Sequence, residues 1–202
     1  MSEVTETAFG GILTAARLGE EWAVAALWRD VHPRLLRYLR VAAGAEAAED
    51  LASEIWLDVA GGLRRFDGDR TSFLRFVFTI CRRRVIDAGR RAGRRRTELM
   101  PPDAIAAAGP AAVDDVDAGL ALDAALARLA ALPRDQAEVI LLRVVVGLDA
   151  DTVGDVLGKR PGTVRVLQHR GLERLANAVA EERRVTNDVP RTILETDEPL
   201  SA

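Results

Sequence analysis

Between Arg82 and Arg96 the chain carries eight arginines against one acid, Asp87, a local net charge of +7. Phe73, Phe76 and Phe78 stand just upstream. Guanidinium groups hold phosphate oxygens, and an aromatic ring offers a face to an unstacked base. A basic helix preceded by aromatics therefore has the parts to grip a single nucleic-acid strand. The same residues also describe a solvated arginine face beside a phenylalanine core, and the motif alone does not choose between the two. At 100° per residue, Arg75, Thr79, Arg82, Arg83, Ile86 and Arg90 share one arc, with Arg91 and Arg94 extending the basic surface. Phe73, Phe76, Val77, Ile80, Cys81 and Val85 share the opposite arc. Arg84 falls inside the apolar arc, so either the helix bends or the Arg84 stem crosses the core to solvent. Asp87 is spaced to pair with Arg83 at i, i+4.

A second basic surface lies near the C-terminus. A short helix over Leu148–Leu157 is followed by a turn with Gly158 and a longer helix from about Pro161 to Ala180, which is the helix-turn-helix pattern. In the longer helix Val164, Leu167, Gly171, Leu172, Leu175 and Val179 share the buried arc. Arg165, Val166, His169, Arg170 and Glu173 point outward. Arginine pairs with guanine edges, an exposed valine meets a thymine methyl, and Thr163 with the free amides at the helix start can grip phosphate. A charged αα-hairpin would share much of this pattern.

The third surface is acidic. A helix from about Ala47 to Leu63 places Leu51, Ile55, Trp56, Val59 and Leu63 inward, and Asp50, Ser53, Glu54, Leu57 and Gly61 outward. Leu57 is a large apolar residue centred in an acidic face. A single exposed leucine needs no explanation, but one ringed by Asp50, Glu54 and Asp58 also suits a basic partner helix.

The elements that carry these faces are helical throughout. Hydrophobic residues make up 49% and charged residues 29% of the 202 positions, enough for ordinary soluble cores. Strand-type alternation is scarce, so the expectation is an all-α protein of two small domains. The net charge of −3 conceals segregation: Thr97–Asp155 holds eleven acids against three arginines. The lone cysteine, Cys81, forms no intramolecular disulfide and no cysteine zinc site, and core packing is its expected role. No cofactor or metal is expected. The first twenty residues lack a basic start and a long apolar stretch, and no run approaches the ~18 apolar residues of a membrane span, so a cytoplasmic protein without membrane insertion is expected.

Along the chain, residues 1–18 read as an N-terminal arm, frayed or a short helix. Ala23, Leu27, Val31, Leu35 and Leu39 have helical spacing, and Pro33 predicts a break near His32, giving helices over about 20–31 and 33–43 with Gly44 ending the second. His32 reads as a capping or surface residue. Thr71 or Ser72 reads as the cap of the Phe-to-Arg helix. Residues 97–117, with Pro101, Pro102, Gly109, Pro110 and clustered acids, read as a flexible acidic linker. The second domain follows over 118–182, with one helix around Leu126 (or Ala127) and Leu129 and another over Asp135–Val146. Residues 183–202 read as a disordered tail.

Taken together, these blocks resemble sigma factors of the sigma-70 family, of the small two-domain type called extracytoplasmic-function (ECF). AEDLASEIWLDV resembles the family block AEDLVQETFLRAW. RFDGDRTSFLRFVFTICRRRVIDAGRRAGRR resembles FRGDSSFRTWLYRIARNRAIDHLRRRRR. LPRDQAEVILLR and GTVRVLQHRGLERL anchor the resemblance to the family's final domain. The resemblance covers about residues 20–96 and 118–180, in the family's order. It implies a region 2 bundle over 19–96 and a region 4 helix-turn-helix over 118–182. It implies docking on the clamp helices of core RNA polymerase by Asp50, Ser53, Glu54 and Leu57. It implies minus-ten promoter recognition and melting by Arg75, Thr79, Arg82, Arg83, Ile86, Arg90, Arg91 and Arg94. Recognition of the minus-thirty-five element falls to Thr163, Arg165, Val166, His169 and Arg170, and the linker falls where the family's chain threads the RNA exit path. An anti-sigma factor is the further partner implied, and catalysis is left to the polymerase.

The sequence departs from the family pattern where Ser53 replaces a glutamine and where Thr79 and Arg83 replace the Arg and Asn of RIARN, so the minus-ten preference is not carried over. The alternative reading is a helix-turn-helix regulator without sigma activity, which would need a receiver or ligand domain in place of residues 20–96, where no βα pattern exists. A helical enzyme would need clustered His, Cys or carboxylates; the two histidines, His32 and His169, lie far apart. An anti-sigma-binding or scaffold protein without promoter activity is a third reading.

Overall fold

The computed structural model describes residues 6–99 and 116–187, and every regular element among them is a helix. The first domain holds α1 (Glu6–Arg17), α2 (Glu21–Ala43), α3 (Ala45–Leu63) and α4 (Arg70–Leu99). The second holds α5 (Val116–Ala130), α6 (Arg134–Ile140), a π-helical segment (Leu141–Val146), α7 (Ala150–Leu157) and α8 (Pro161–Asn187). The two sequence domains are thus two helical units. The predicted linker lies outside the described residues from 100 to 115, and the predicted tail lies outside them from 188 onward. Helix α4 carries on to Leu99 and α8 to Asn187, past the expected ends of both.

The first domain is built on inward stripes at helical spacing. Leu27, Val31, Leu35, Tyr38 and Leu39 of α2 meet Leu51, Ile55 and Val59 of α3 and Phe73, Val77, Phe78 and Cys81 of α4. Cys81 is buried, as its arc requires, and burial pushes its thiol pKa well up, which leaves it inert.

Of the two readings of the N-terminal arm, the short helix holds: residues 6–17 form α1, because Phe9, Leu13 and Ala16 seal the end of the core. Three local expectations are corrected. Pro33 does not break the chain: α2 runs unbroken through it. A mid-helix proline costs about 3 kcal/mol, but Val31 and Leu35 on either side are buried in the same core, and a break would move one of them out. The cap of α4 is Asp69, not Thr71 or Ser72: its Oδ1 accepts from the Ser72 backbone N–H at 2.7 Å, and the Ser72 hydrogen bonds hold its carboxyl pKa down. His32 is half-buried mid-helix rather than a cap, stacked on Trp28 at 4.2 Å and accepting at Nδ1 from the Trp56 indole at 3.2 Å.

Between α2 and α3 the chain reverses at Gly44, whose φ of 90° suits a residue without Cβ. In the second domain Asp149 caps α7 by accepting from the Thr152 N–H at 2.7 Å. Gly154 and Gly158 then shape the turn into α8. Gly158 sits at φ 65°, and an added Cβ on Gly154 would stand 2.6 Å from the Lys159 carbonyl oxygen. The expected helix over Asp135–Val146 changes character at Leu141. From there a π-segment turns Val144 outward while Leu141, Leu142 and Val146 stay buried. Of the α5 alternatives, Leu126 is the buried residue and Ala127 is exposed.

Candidate nucleic-acid interface

Helix α8 is placed by a small number of tight contacts. Val164 is fully buried, and Gly171 lies so close to α6 that a Cβ would stand 2.6 Å from Ile140 Cδ1. This close approach fixes the helix roll. Thr163, Arg165, Val166, His169 and Arg170 are consequently all exposed along the N-terminal half of α8. His169 Nε2 lies 3.3 Å from Glu173 Oε1, one turn on. Gln168, on the flank, accepts from Arg143 Nε at 3.0 Å, and the same arginine donates to the Leu148 carbonyl at 2.6 Å. Arg143 therefore braces the start of the helix-turn-helix against α8. Leu172, expected inside, is 43% exposed, because Gly171 occupies the contact line and leaves its neighbour on the rim.

On α4, Arg75, Thr79, Arg83, Arg90 and Arg91 are exposed, and Arg82 and Ile86 are half-buried. Arg94 lies on the helix, but its side chain is outside the described ones. Thr79 Oγ1 bonds back to the Arg75 carbonyl at 2.7 Å, so its hydroxyl proton is engaged. The expected Arg83–Asp87 pair is replaced by Arg90 Nη1–Asp87 Oδ1 at 3.6 Å, one of two partners a helical acid can reach.

The aromatic part of the expectation fails. Phe73 and Phe78 are fully buried, and half-buried Phe76 stacks on Phe66 with centroids 5.3 Å apart. Phe73 packs on Phe9 of α1 and on Phe66, and Phe78 packs edge-on against Tyr38 of α2, so these rings belong to the core and none of the three is an open platform for a base.

Arg84 shows why an arginine stands in the apolar arc. It neither bends the helix nor merely reaches water: Nε and Nη2 donate to both oxygens of Asp58 at 2.6 and 2.7 Å, and Nη1 donates to Glu54 Oε2 at 3.1 Å. The hydrogen bond from Arg84 holds the Asp58 carboxyl below its usual range. This fork ties α4 to α3 and consumes part of the acidic surface. Glu54 is thus half-buried and paired, while Asp50 remains exposed. Ser53 Oγ returns to the Glu49 carbonyl at 3.1 Å. Leu57 is 74% exposed, one turn from Glu54 and Ser53.

Sequence reasoning did not find Asp155 or Glu138. Asp155 Oδ2 lies 2.9 Å from Arg75 Nη1, and buried Glu138 lies 3.7 Å from Arg82 Nε. Both pairs join the two domains. No local pattern signals partners this far apart in the chain. Among the described residues no group of His, Cys, Asp or Glu is arranged to hold a metal, and no helix is long and apolar enough to cross a membrane.

This geometry defines a two-domain helical protein with a basic helix in the first domain and a helix-turn-helix in the second. Comparison with known proteins gives the class. Residues 27–95 match Sigma-70 region 2 and residues 122–175 match Sigma-70 region 4. The chain is 37% identical to the ECF RNA polymerase sigma factor ShbA of Streptomyces griseus over 196 residues, covering 90% of this chain and all of that protein. It is 33% identical to the ECF RNA polymerase sigma factor SigD of Mycobacterium tuberculosis over 177 residues, 83% of this chain and 82% of the relative. The fold is similar to that of CnrH in complex with the cytosolic domain of CnrY (TM-score 0.59, 19% identity, 84% of this chain and 96% of that one). It is also similar to the sigma factor RpoE of Bartonella quintana in complex with the anti-sigma factor NepR (TM-score 0.57, 21% identity, 77% and 97%). The chain belongs to the ECF group of the sigma-70 family. Its function is that of an RNA polymerase sigma factor in transcription initiation, and the α-helical first domain leaves no room for the receiver that the alternative regulator required.

Proposed function

We propose a division of labour among three faces. The exposed arc of α8, with Thr163, Arg165, Val166, His169 and Arg170, reads the minus-thirty-five duplex in the major groove. The outer arc of α4, with Arg75, Thr79, Arg82, Arg83, Ile86, Arg90, Arg91 and Arg94, holds the opened minus-ten strand by its phosphates. The α3 surface of Asp50, Ser53, Glu54 and Leu57 docks on core RNA polymerase, with Leu57 as the apolar anchor. The observation that carries this reading is the exposure of the five α8 residues around a fully buried Val164, which presents donors and an apolar contact on one helix face.

The chain acts in the cytoplasm, contributes no catalytic group of its own, and is held by an anti-sigma factor. The last partner is supported by the NepR complex of the structural neighbour. Burial of the phenylalanines changes the mechanism at minus ten: backbone electrostatics carry it, without base stacking on Phe73, Phe76 or Phe78.

The test pairs two substitutions in reconstituted holoenzyme. Arg170→Ala should cost about 1–3 kcal/mol in duplex recognition and leave strand opening largely intact once bound. Arg83→Ala should leave upstream binding near normal and impair opening. Duplex mobility shifts and permanganate footprints of unpaired thymines read the two. Equal loss of both activities in both variants would reduce the arginines to a single non-specific patch.

A further inference from the structure

Leu57, the exposed leucine of α3, stands between two residues that are each tied to a different helix. At about 100° per residue, Trp56 lies to one side of it and Asp58 to the other. On the Trp56 side the indole Nε1–H donates to His32 Nδ1 of α2 at 3.2 Å. The same imidazole is stacked on Trp28, with centroids 4.2 Å apart and 18° between the planes. On the Asp58 side Arg84 of α4 donates from Nε and Nη2 to both carboxylate oxygens at 2.6 and 2.7 Å, and from Nη1 to Glu54 Oε2 at 3.1 Å.

The rest of α3 gives its rotation less direction. The inward stripe is Ala48, Leu51, Ala52, Ile55, Val59 and Leu63, all aliphatic. Gly44 holds the N-cap position, and no side chain caps the helix there. Apolar burial scales with area and has no direction of its own. A hydrogen bond weakens steeply as its angle departs from linear, and a bidentate arginine fork adds geometric specificity. The two ties act on opposite flanks, so a roll that slackens one strains the other.

We propose that His32 and Arg84 are positioning residues for docking on core RNA polymerase: the Trp56 and Asp58 ties form a two-armed clamp that fixes the roll of α3 and holds Leu57, with Asp50 and Ser53, at the angle the polymerase meets. Both residues are half-buried and act from behind the face, through the neighbours of Leu57. The proposal rests on the α3 surface being the polymerase-docking face, and it deepens that reading by naming what aims the face.

The experiment measures binding of the full chain to purified core RNA polymerase by fluorescence anisotropy, at a temperature where circular dichroism shows the variants folded. His32→Phe keeps a ring to stack on Trp28 and loses the acceptor. Arg84→Lys keeps the charge and loses the fork. Each should weaken core binding about fivefold, within the range by which residues coupled through a shared backbone shift depart from additivity. In a Leu57→Ala background each should change affinity by less than about twofold, because the side chain they aim is gone. The two variants act on opposite flanks, so either one, folded, carries the comparison. Residues that merely support the fold would lower the melting temperature and leave core affinity at wild type, and that result overturns the clamp. A loss that persists undiminished in the Leu57→Ala background also overturns it, since the two residues would then act independently of Leu57. Failure of the docking reading looks different: Leu57→Ala by itself would bind core polymerase as the wild type does.

Discussion

Gly154→Ala is the sharpest test of how the helix-turn-helix is set. The residue is buried in α7, and a Cβ there would stand 2.6 Å from the Lys159 carbonyl oxygen, 3.7 Å from its carbon and 3.7 Å from Pro161 N. The obstacle is backbone, so no side-chain rotation relieves it. The same two residues are joined by Lys159 N–H donating to the Gly154 carbonyl at 2.9 Å. Moving Lys159 away strains that bond and tilts the start of α8. Alanine gains about 1 kcal/mol of helix propensity over glycine. Against this stand about 1–3 kcal/mol of overpacking and about 1 kcal/mol for a weakened hydrogen bond. The balance is a net loss of about 1–3 kcal/mol, or roughly 2–4 °C of melting temperature per kcal/mol. The internal control is Gly11→Ala in α1, where a Cβ meets nothing within 4 Å and the gain of about 0.5–1 kcal/mol should appear uncancelled. Circular dichroism melts read stability, and a mobility shift on minus-thirty-five duplex reads the tilt of α8. A Gly154→Ala protein that melts at or above wild type, with normal duplex binding, refutes the claim that this approach sets the turn.

Leu57→Arg should weaken core-polymerase binding by about 2 kcal/mol or more, the scale of an interface anchor, while the melting temperature stays near wild type; a pull-down with unchanged yield removes Leu57 from the interface. Asp149→Ala should cost about 1 kcal/mol through loss of the α7 cap. The Thr152 backbone N–H lowers the Asp149 carboxyl pKa in the folded state, so its contribution is full above about pH 4 and is lost as pH falls through the depressed folded value; the wild-type advantage over Asp149→Ala should shrink in acid melts. Burial lowers the His32 pKa from its usual value, although Glu49 pulls the other way. Neutral His32 therefore stabilises the fold above about pH 6.5, and that contribution is lost as pH falls through the lowered value. Protonation also removes the Nδ1 acceptor for Trp56, so tryptophan fluorescence should titrate with a midpoint below about 6.5, and His32→Phe should abolish that step.

The periodic faces were legible because periodicity is local. The α8 arc and the exposure of Leu57 follow from helical spacing alone, and the structure keeps both. Arg84 was legible as an anomaly but not as a solution, since its partners Glu54 and Asp58 belong to another helix. Phenylalanine beside arginine invited a stacking platform. The angular positions already placed Phe73 inward, however, and core packing took Phe78 as well. Pro33 misled because the local cost of a proline was weighed without the tertiary burial of Val31 and Leu35 that outweighs it. The Leu141 transition to a π-segment has no counterpart in the spacing pattern, and the capping role of Asp69 was one residue pair away from the residues the pattern favoured.

The arginine run that dominates the sequence is divided among three tasks by its neighbours. Arg84 is spent inside the first domain on Asp58 and Glu54. Arg75 and Arg82 face carboxylates of the second domain. Arg83 is exposed and makes no ion pair among the described residues, and exposed Arg90 has only the loose Asp87 contact at 3.6 Å. A uniform charge of +7 would attract any polyanion along its whole length. Partitioned in this way, α4 leaves Arg83 and Arg90 open to an anion while Arg75 and Arg82 already face the carboxylates of Asp155 and Glu138, so the positive charge the helix presents to solvent is smaller than its sequence total.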